Sequence, residues 1–585
     1  MTEKKLINDI KLPRASSPEA VGVSSQEVEA FLDEVERQNL ELRSFMVIRH
    51  GVVAAECFRE PFTAEYNHQM WSISKSFTAT ALGIAIGEGY LTLDTRVTDI
   101  FPEYRPKKNK DKLEKLTVRH LVMMTAGKSP AYLMPKTDGA DWVKIFINSS
   151  WYNEPGAEFR YINENFYMIC AILRRLTGQT VTEYLTPRLF EPLGIVRPFW
   201  ETDNTGTEAG GWGLYVRTED LAKLILCYQR HGEFGGKQII PAEWTREATK
   251  LQTPCTGVRP AANYGYGYGF WLNPVENSYR ANGLFSQFGM DFTDYDGIFV
   301  CNAAVMDETV LHNLVFKHFP AAFADVSEEA SKYATDNKTP GFTEENGVGF
   351  GEVNTQEADN VLAAVNAEKN GGSDKTNVAD ATALKDKLVA SAIEAPPKKA
   401  MRSPFENELK GKKIRLRRNL FLNAVGFPIG VLPIIVTAKK AVKQYQIDDI
   451  SLNFDNSECR FSWREGRDCN EIALGLDGAY REGQINLGGV CYRVLADAEW
   501  TGERTFEIRI RAVETIAKQT FRFDFGKSGR VTMRAASFPK VESIVGFLRT
   551  GAELLIKFPP MLKFVRFILR RLPKHIEPPY KGKMG

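Results

Sequence analysis

The sequence predicts two folded parts: an N-terminal part of the α/β class, in which helices and strands are mixed, and a C-terminal antiparallel β-barrel. Two observations support this division. At 585 residues the chain is longer than one hydrophobic core usually supports, which favours several domains. A polar stretch rich in Gly and Asn, residues 325–401, separates a region with long apolar helical segments from one with short strand-like runs.

The first part, residues 1–324, is predicted to contain helices that follow short extended pieces. WSISKSFTATALGIAIGEGYL, residues 71–91, is apolar and rich in Ala, which favours a buried helix. EPGAEFRYINENFYMICAILRRLTG, residues 154–178, predicts a Pro-Gly turn, a short extended piece and then a long apolar helix.

Residues 325–401 are interpreted as a polar linker or insertion. EKNGGSDKTN and similar stretches contain almost no large apolar residue, so they cannot offset the entropy of ordering through burial. ATALKDKLVASAI, residues 381–393, has helical periodicity and is followed by APPKK. One short helix is therefore predicted late in this segment.

Residues 402–540 are predicted to form the barrel. KKIRLRRN, CRFSW, TFEIRIRAVE and KQTFRFDFG alternate or are rich in β-formers between turn residues, which indicates a small antiparallel barrel or sandwich. The apolar run at 419–440 is almost long enough to suggest a transmembrane helix. Pro428 and Pro433 favour buried strands or turns instead.

The tail, residues 541–585, mixes Phe, Leu and Ile with many basic residues. One interpretation is a helix whose apolar face docks on the preceding domain while its charges remain in water, and this is the interpretation we favour. The other is weak contact with an anionic membrane surface.

Composition restricts the class of partner and the compartment. The formal charge of +2, from 75 basic and 73 acidic residues, gives no reason to expect a nucleic-acid partner. The eight cysteines lack the close spacing of a zinc site, so they are interpreted as reduced and mostly structural, and no metal is expected. No cofactor is predicted either. The N-terminal residues lack the apolar core of a secretory signal, which predicts a cytoplasmic protein.

Ser72 and Lys75 are three positions apart, so a helix that begins near Ser72 would place both side chains on one face. Serine needs a neighbouring base to act as a nucleophile, and a desolvated lysine can supply one. The alternative is that Ser72 is an ordinary helix N-cap. A second Ser-x-x-Lys, from Ser537 to Lys540, contains a proline and lacks a helical context.

Tyr161 and Asn163 form the one Tyr-x-Asn sequence in the chain. A tyrosine near a lysine can relay a proton to a leaving group, and an asparagine amide can hold both a substrate and the lysine. Taken alone, Tyr161 is more often a half-buried packing residue.

Together these motifs resemble those of the serine β-lactamase and penicillin-binding-protein family, particularly its class C, esterase and D-aminopeptidase branch. The resemblance covers about residues 15–320 and includes LTVRHLVMMTAG, GGWGLYVRTEDLAKLILCYQRHGEFGG and YGYGYGFWLNP. It implies an antiparallel sheet flanked by helices plus a helical subdomain. The C-terminal segment resembles the lipocalin-like barrel that some of these hydrolases carry, and its role stays open.

The resemblance also implies roles for the motif residues. Ser72 would be the acylated nucleophile, Lys75 its base or proton relay, Tyr161 the second acid/base group and Asn163 an amide that contacts the substrate. In SYRANGLFSQFG, Gly283 would allow close approach of the backbone.

The same segment holds the counterpart of the family's third motif, Lys-Thr-Gly or His-x-Gly. The backbone N–H of Leu284 would join that of Ser72 in an oxyanion hole. Asn282 would offer neutral hydrogen bonds to the substrate, and Trp212 in GGWGLY would form an apolar wall at the rim. Ala281 stands where the family has Lys or His, which puts β-lactam recognition in doubt unless Arg280 folds back.

The leading hypothesis is a serine hydrolase that acts through an acyl-enzyme on a small ester, amide or D-amino-acid peptide, with weak or no β-lactamase activity. The alternative is a non-catalytic ligand-binding or sensory member of the family, and a third possibility is a self-assembling scaffold. The enzyme hypothesis requires Ser72, Lys75 and Tyr161 to converge within hydrogen-bond reach. The sequence does not predict an oligomeric state.

Overall fold

A computed structural model gives the structure of the protein. It describes residues 7–104, 109–129, 139–255, 264–324, 375–390, 392–393, 401–417, 447–465, 468–487, 490–540, 559–571 and 579–585. These residues form two compact units, one that ends at Ile393 and one that contains the described residues from 401 to 585.

An antiparallel sheet organises the first unit. Its six strands are β1 (Leu42–Arg49), β2 (Val52–Phe58), β8 (Trp271–Leu272), β9 (Ser278–Gly283), β10 (Gln287–Phe292) and β11 (Gly297–Ala303). Their order across the sheet is β2, β1, β11, β10, β9, β8. Shorter strands lie outside it: β3 (His68–Gln69), β4 (Phe199–Trp200), β5 (Leu214–Val216), β6 (Glu233–Phe234) and β7 (Lys237–Gln238).

Twelve α-helices are described in this unit. They are α1 (Ser25–Arg37), α2 (Ser74–Gly87), α3 (Val97–Ile100), α4 (Lys110–Lys115), α5 (Val118–Val122), α6 (Trp142–Asn148), α7 (Glu164–Thr177), α8 (Val181–Leu185), α9 (Thr218–Gln229), α10 (Ala242–Thr249), α11 (Glu308–Ala324) and α12 (Lys375–Ala390).

Helices cover both faces of the sheet. On one face Phe31 of α1 and Phe319 of α11 pack edge-on or tilted against Phe299 of β11, with ring centroids 5.6 and 4.4 Å apart. On the other face α9 approaches β10 closely, since a Cβ at Gly289 would lie 2.9 Å from Ile225. Helices α2, α7 and α8 pack on one another beside the sheet, and α2 brings its N-terminus to the end of β9.

Helix α12 lies where a short helix was predicted from the sequence, and it begins six residues earlier, at Lys375. It packs on the first unit. Leu384 is 1% exposed and belongs to the same core cluster as Phe31, Phe299 and Phe319. Lys387 pairs with Asp33 of α1. Just beyond the helix, the Ile393 N–H donates to the Glu60 carbonyl oxygen at 2.9 Å.

The second unit is a β-barrel, as predicted. Its strands are β12 (Lys413–Leu416), β13 (Ile447–Phe454), β14 (Glu458–Glu465), β15 (Asp468–Gly475), β16 (Arg481–Leu487), β17 (Val490–Gly502), β18 (Thr505–Ala512), β19 (Lys518–Phe525), β20 (Arg530–Phe538) and β21 (Tyr580–Met584).

Among the described residues, nine of these strands pair in the order β15, β14, β13, β12, β21, β20, β19, β18, β17. A bridge between Gly475 and Asp497 joins β15 to β17 and closes the ring, and β16 pairs with the first half of β17. Alternate residues point inward, so Trp500, Phe506 and Phe523 share one apolar core. Two helices accompany the barrel, α13 (Glu406–Leu409) and α14 (Pro559–Arg571).

Helix α14 leaves three of its described apolar side chains about half exposed. Met561, Phe567 and Ile568 are 50%, 52% and 44% exposed. Val565 of the same helix is partly buried, so docking of the tail on the preceding domain stays a prediction. The apolar run at 419–440, with Pro428 and Pro433, lies outside the described residues. Within the described part of the chain, none of the helices is both long and apolar enough to cross a bilayer.

Candidate active site

A tight turn between β3 and α2 carries Ser72. Residues Trp71–Ile73 form a 3-10 helix that leads directly into α2, and Trp71 has a left-handed φ of 48°. The Ser74 hydroxyl donates to the Trp71 carbonyl oxygen at 2.6 Å and accepts from the Leu214 N–H at 3.1 Å, which fixes the turn. The N-cap of α2 is Ile73, so Ser72 does not serve as its capping side chain.

Lys75 lies one turn further and is 1% exposed. Its Nζ makes three hydrogen bonds, to Ser72 Oγ at 2.9 Å, Asn163 Oδ1 at 2.8 Å and the Gly211 carbonyl oxygen at 2.6 Å. These acceptors match the three N–H groups of an ammonium. The amine is thus held at a fixed point between the serine and the asparagine.

Tyr161 and Asn163 approach from the start of α7, where Asn163 is the N-cap residue. The Tyr161 ring centroid lies 4.6 Å from Lys75 Nζ, so the phenol borders the amine that contacts Ser72. The ring stacks on Trp271 with centroids 5.3 Å apart and meets Tyr266 edge-on at 6.1 Å. The structure therefore brings together all four residues of the two sequence motifs.

Burial sets the protonation preferences of this group. It lowers the pKa of Lys75 well below its usual value of 10.5, while the charge of nearby Glu164 raises it in part. Burial raises the pKa of Tyr161, and the neighbouring Ser72 offsets only part of that rise. Burial thus favours the neutral amine of Lys75, the form that can accept a proton, next to a phenol that retains its own.

The end of β9 approaches the Ser72 turn backbone to backbone. A Cβ placed on Gly283 would lie 2.4 Å from the Met70 carbonyl oxygen, so a larger residue does not fit there. Leu284 begins the turn into β10, in which Phe285 and Ser286 both have positive φ. The Gln287 side chain braces this turn, because its amide donates to the carbonyl oxygens of Leu284, Phe285 and Ala303.

The remaining residues of the third motif do not present a cation. Ala281 is fully buried. Arg280 is 2% exposed and donates to Asn282 Oδ1 and Asn273 Oδ1 at 3.1 and 2.8 Å. The Asn282 amide is itself occupied, since it donates to Glu308 at 3.1 Å and its oxygen lies 2.9 Å from His312 Nε2. The proposed free hydrogen bonds from Asn282 would require this network to rearrange.

Trp212 is 7% exposed and stacks on Trp142 with centroids 5.8 Å apart. Because so little of the Trp212 indole is exposed, it can offer a substrate only a small apolar surface, less than the wall predicted from the sequence. Within the described chain, no group of three or more His, Cys, Asp or Glu side chains is arranged to hold a metal ion.

Sequence reasoning missed the Gly211 carbonyl, Glu164 and the aromatic residues around Tyr161. A signal for Gly211 existed in the Gly-Gly pair of GGWGLY, because a Cβ at Gly211 would lie 2.6 Å from the Asn163 carbonyl oxygen. Glu164 directly follows Tyr-x-Asn but has no motif of its own. Trp271 is 110 positions from Tyr161 and has no local signature.

Comparison with known proteins settles the family of this unit. Residues 32–305 match the Beta-lactamase family, a range that contains the sheet and the whole Ser72 cluster. These residues form a beta-lactamase-family domain. The resemblance drawn from the sequence motifs is thereby confirmed, and so is the α/β fold class with its antiparallel sheet and flanking helices.

The beta-lactamase-family domain has distant relatives with named activities. A D-aminopeptidase of Brucella anthropi is 28% identical over 237 residues, 36% of this chain and 43% of that protein. Penicillin-binding protein 4 of Amycolatopsis lactamdurans is 27% identical over 137 residues, 23% of this chain and 36% of that protein. The chain thus spans less than half the length of these two relatives. A penicillin-binding-protein homologue from Caulobacter crescentus has a TM-score of 0.43 and 18% identity, with 54% of this chain and 100% of that one covered.

Proposed function

We propose that the beta-lactamase-family domain is a serine hydrolase that forms an acyl-enzyme on Ser72. The observation that carries this proposal is the position of Lys75 Nζ, 2.9 Å from Ser72 Oγ and 2.8 Å from Asn163 Oδ1 in a buried site. Burial disfavours the ammonium, so the amine can take the Ser72 proton as Oγ attacks the carbonyl carbon of the substrate.

In the acylation step, a bond forms between Ser72 Oγ and the carbonyl carbon, and the carbonyl oxygen becomes an oxyanion. The backbone N–H groups of Ser72 and Leu284 would donate to it. The contact between Gly283 and Met70 supports this role, because it brings the end of β9 to the Ser72 turn.

The tetrahedral intermediate collapses when the bond to the leaving group breaks. The leaving alkoxide or amine must gain a proton, and we assign its donation to Tyr161, because the phenol lies beside Lys75 and burial keeps it protonated. Lys75 returns its proton to Tyr161 and is neutral again. Water then attacks the acyl-enzyme with the same groups as base and acid, which releases the acid product and restores Ser72.

The substrate class we propose is a small neutral ester or amide. Ala281 supplies no cation, and Arg280 is engaged with Asn282 and Asn273. A charge-assisted contact to a substrate carboxylate contributes roughly 1.5–3 kcal/mol, so its loss should cost about ten- to a hundredfold in kcat/KM. Substrates that carry a carboxylate, such as β-lactams and peptides with a free C-terminus, should therefore be poor.

Fluorophosphonate labelling with mass spectrometry tests the nucleophile. The label should lie on Ser72 and be absent from Ser72→Ala, and Lys75→Ala and Tyr161→Phe should each lower kcat/KM by about a hundred- to ten-thousandfold. A folded protein that neither labels nor turns over nitrophenyl esters or D-amino-acid amides would instead support the non-catalytic alternative. A kcat/KM higher for nitrocefin than for nitrophenyl butyrate would refute the proposed substrate class.

A further inference from the structure

The outer surface of the barrel carries a block of cations on three neighbouring strands. Inward residues of β12, β20 and β21, such as Leu416, Val531 and Tyr580, are buried in the core. The residues between them point away from this core; Arg534 among them is paired with Asp524. Six further basic residues on or directly beside these strands are exposed: Lys413, Arg415, Arg417, Arg530, Lys581 and Lys583. We call these six residues the basic face.

Strand register places these charges side by side. Arg415 pairs with Lys583, and Lys583 pairs with Arg530, so three cations form one row across the strands. Like charges directly opposite one another destabilise a sheet. Asp449 lies 3.5 Å from Arg415 and offsets part of this repulsion.

The row formed by Arg415, Lys583 and Arg530 does not protect an exposed sheet edge. Lysines on edge strands often prevent unwanted pairing between molecules. Here β12 and β20 each pair on both sides, and β21 lies between them in a closed barrel. The repulsion therefore has no evident benefit for the fold, which points to an anionic partner.

Helix α14, which precedes β21 in the chain, exposes both apolar and basic side chains. Met561, Phe567 and Ile568 are about half exposed, and Lys563, Arg570 and Arg571 are exposed with them. The helix contains no acidic residue, and residues 559–585 hold seven Lys and Arg against the single Glu577. Exposed apolar residues among cations are typical of helices that lie at the surface of an anionic bilayer.

A cavity of about 250 Å³ opens beside the basic face. Phe405, Phe525 and Val531 provide apolar walls, and Lys527 and Arg530 are at its exposed rim. Glu408 and Arg504 also line it and form an ion pair at 3.5 Å, so the cavity carries both signs of charge and by itself indicates no ligand.

We propose that the basic face and α14 together bind the surface of a membrane that contains anionic phospholipid. The cations are attracted to the lipid phosphates and carboxylates, and the apolar side chains of α14 insert among the acyl chains near the headgroups. The proposal is independent of the proposed hydrolysis, because none of these residues belongs to the Ser72 cluster.

Co-sedimentation of the full-length protein with vesicles tests the proposal. Binding is expected to vesicles with about 30% phosphatidylserine and to be at least tenfold weaker on phosphatidylcholine alone or in about 0.5 M salt. The triple variant Arg530→Glu/Lys581→Glu/Lys583→Glu should bind about a hundredfold more weakly. Phe567→Ser/Ile568→Ser should also weaken binding, even at low salt.

A matched control separates this face from net charge. Lys110→Glu/Lys115→Glu/Lys144→Glu makes the same charge change at exposed positions of α4 and α6 in the first unit, and it should retain at least a third of the binding. An equal loss in the control would show that only net charge matters and would overturn the proposal. So would the absence of binding to phosphatidylserine vesicles, or equal binding to neutral ones.

Discussion

Lys75 is the residue on which the proposed chemistry depends, because it contacts groups from three distant parts of the sequence. Its Nζ meets Ser72, Asn163 and Gly211, and all three contacts are 2.9 Å or shorter. As an ammonium it can donate to all three, and as an amine it can accept the serine proton. Its pKa therefore decides the pH at which the site can work.

The fall of kcat/KM on the acid side of the pH–rate profile, its acid limb, should reflect protonation of Lys75. Protonated Lys75 cannot accept the Ser72 proton, so kcat/KM should fall as pH drops through the Lys75 pKa, which burial places well below 10.5. The charge of Glu164 raises that pKa, so Glu164→Gln should move the limb to lower pH. Ester hydrolysis from pH 4 to 9 checks this, and a limb that stays in place would exclude Glu164 as a positioning residue.

Gly283→Ala should damage the site through the backbone alone. The added methyl group would lie 2.4 Å from the Met70 carbonyl oxygen, so β9 or the Ser72 turn must shift. A shift of this size at an oxyanion hole should lower kcat/KM by about a hundredfold. Ester kinetics measure the loss, and Gly502→Ala, at a strand glycine where an added Cβ would meet only Thr505 at 3.8 Å, controls for the substitution itself. Unchanged kinetics in Gly283→Ala would argue against this strand as part of the site.

Lys128 should make stability depend on pH. It is fully buried, donates to the Ile147 and Ser149 carbonyl oxygens at 2.8 and 3.1 Å, and burial lowers its pKa to about 7. Between pH 7 and 10.5 the unfolded chain binds a proton here that the folded protein does not, so the free energy of unfolding should rise with pH.

Lys128 should contribute up to ~1.4 kcal/mol per pH unit within this window. Lys128→Met removes the titrating group. Between pH 7.5 and 9.5 the free energy of unfolding of the wild type should therefore rise relative to that of the variant. Urea unfolding followed by tryptophan fluorescence measures it. A pH-independent difference would mean that Lys128 is not neutral in the folded protein.

At the residue scale, the sequence identifies groups whose chemistry is local and misses those that the fold supplies. Ser72 and Lys75 are one turn apart, and Tyr161 and Asn163 are two positions apart, so short motifs reveal them. The Gly211 carbonyl carries no side chain to recognise. Asn282 hydrogen-bonds with Arg280, Glu308 and His312. These bonds depend on how β9 packs against α11, which residue spacing cannot predict.

At the scale of elements, α12 shows how burial decides the role of a helix. Periodicity located it, but composition placed it in a linker, because the residues around it are polar. Its Leu384 belongs to the core of the first unit and its Lys387 pairs with Asp33. The apolar face that makes it helical thus also makes it part of the folded domain.

Leu384→Ala should test this attachment. Removal of a buried leucine side chain typically costs about 2–5 kcal/mol, so the first unit should unfold at lower temperature or denaturant concentration. Val389→Ala, at a position 80% exposed on the same helix, should change stability by less than about 0.5 kcal/mol. Equal stability of the two variants in urea titrations would show that α12 does not stabilise the unit.

At the scale of the whole molecule, every residue of the candidate active site lies in the first unit, and the barrel has its own core. We propose that the division predicted from the sequence is functional, with hydrolysis in the first unit and surface binding in the second. The boundary differs from the predicted one, because α12 and residues 392–393 belong with the first unit.

A chain that ends at Ile393 should therefore keep the proposed hydrolytic activity. Its kcat/KM for nitrophenyl butyrate should stay within about threefold of the full chain, since no group of the Ser72 cluster is removed. Ser72→Ala in the shortened chain provides the background rate. A chain that is folded by circular dichroism but inactive would show that the barrel contributes to catalysis.

Because α12 docks on the first unit, we expect that unit to stay assembled even when the chain is cut. The helix is held to α1 and β2 by apolar contacts, an ion pair and backbone hydrogen bonds, all of them non-covalent. A molecule cut once between Ala324 and Lys375 would leave two polypeptides, one with the Ser72 cluster and one that begins near α12 and carries the barrel. The second polypeptide would bind the first non-covalently through α12. It could therefore be exchanged, labelled or titrated as a separate polypeptide.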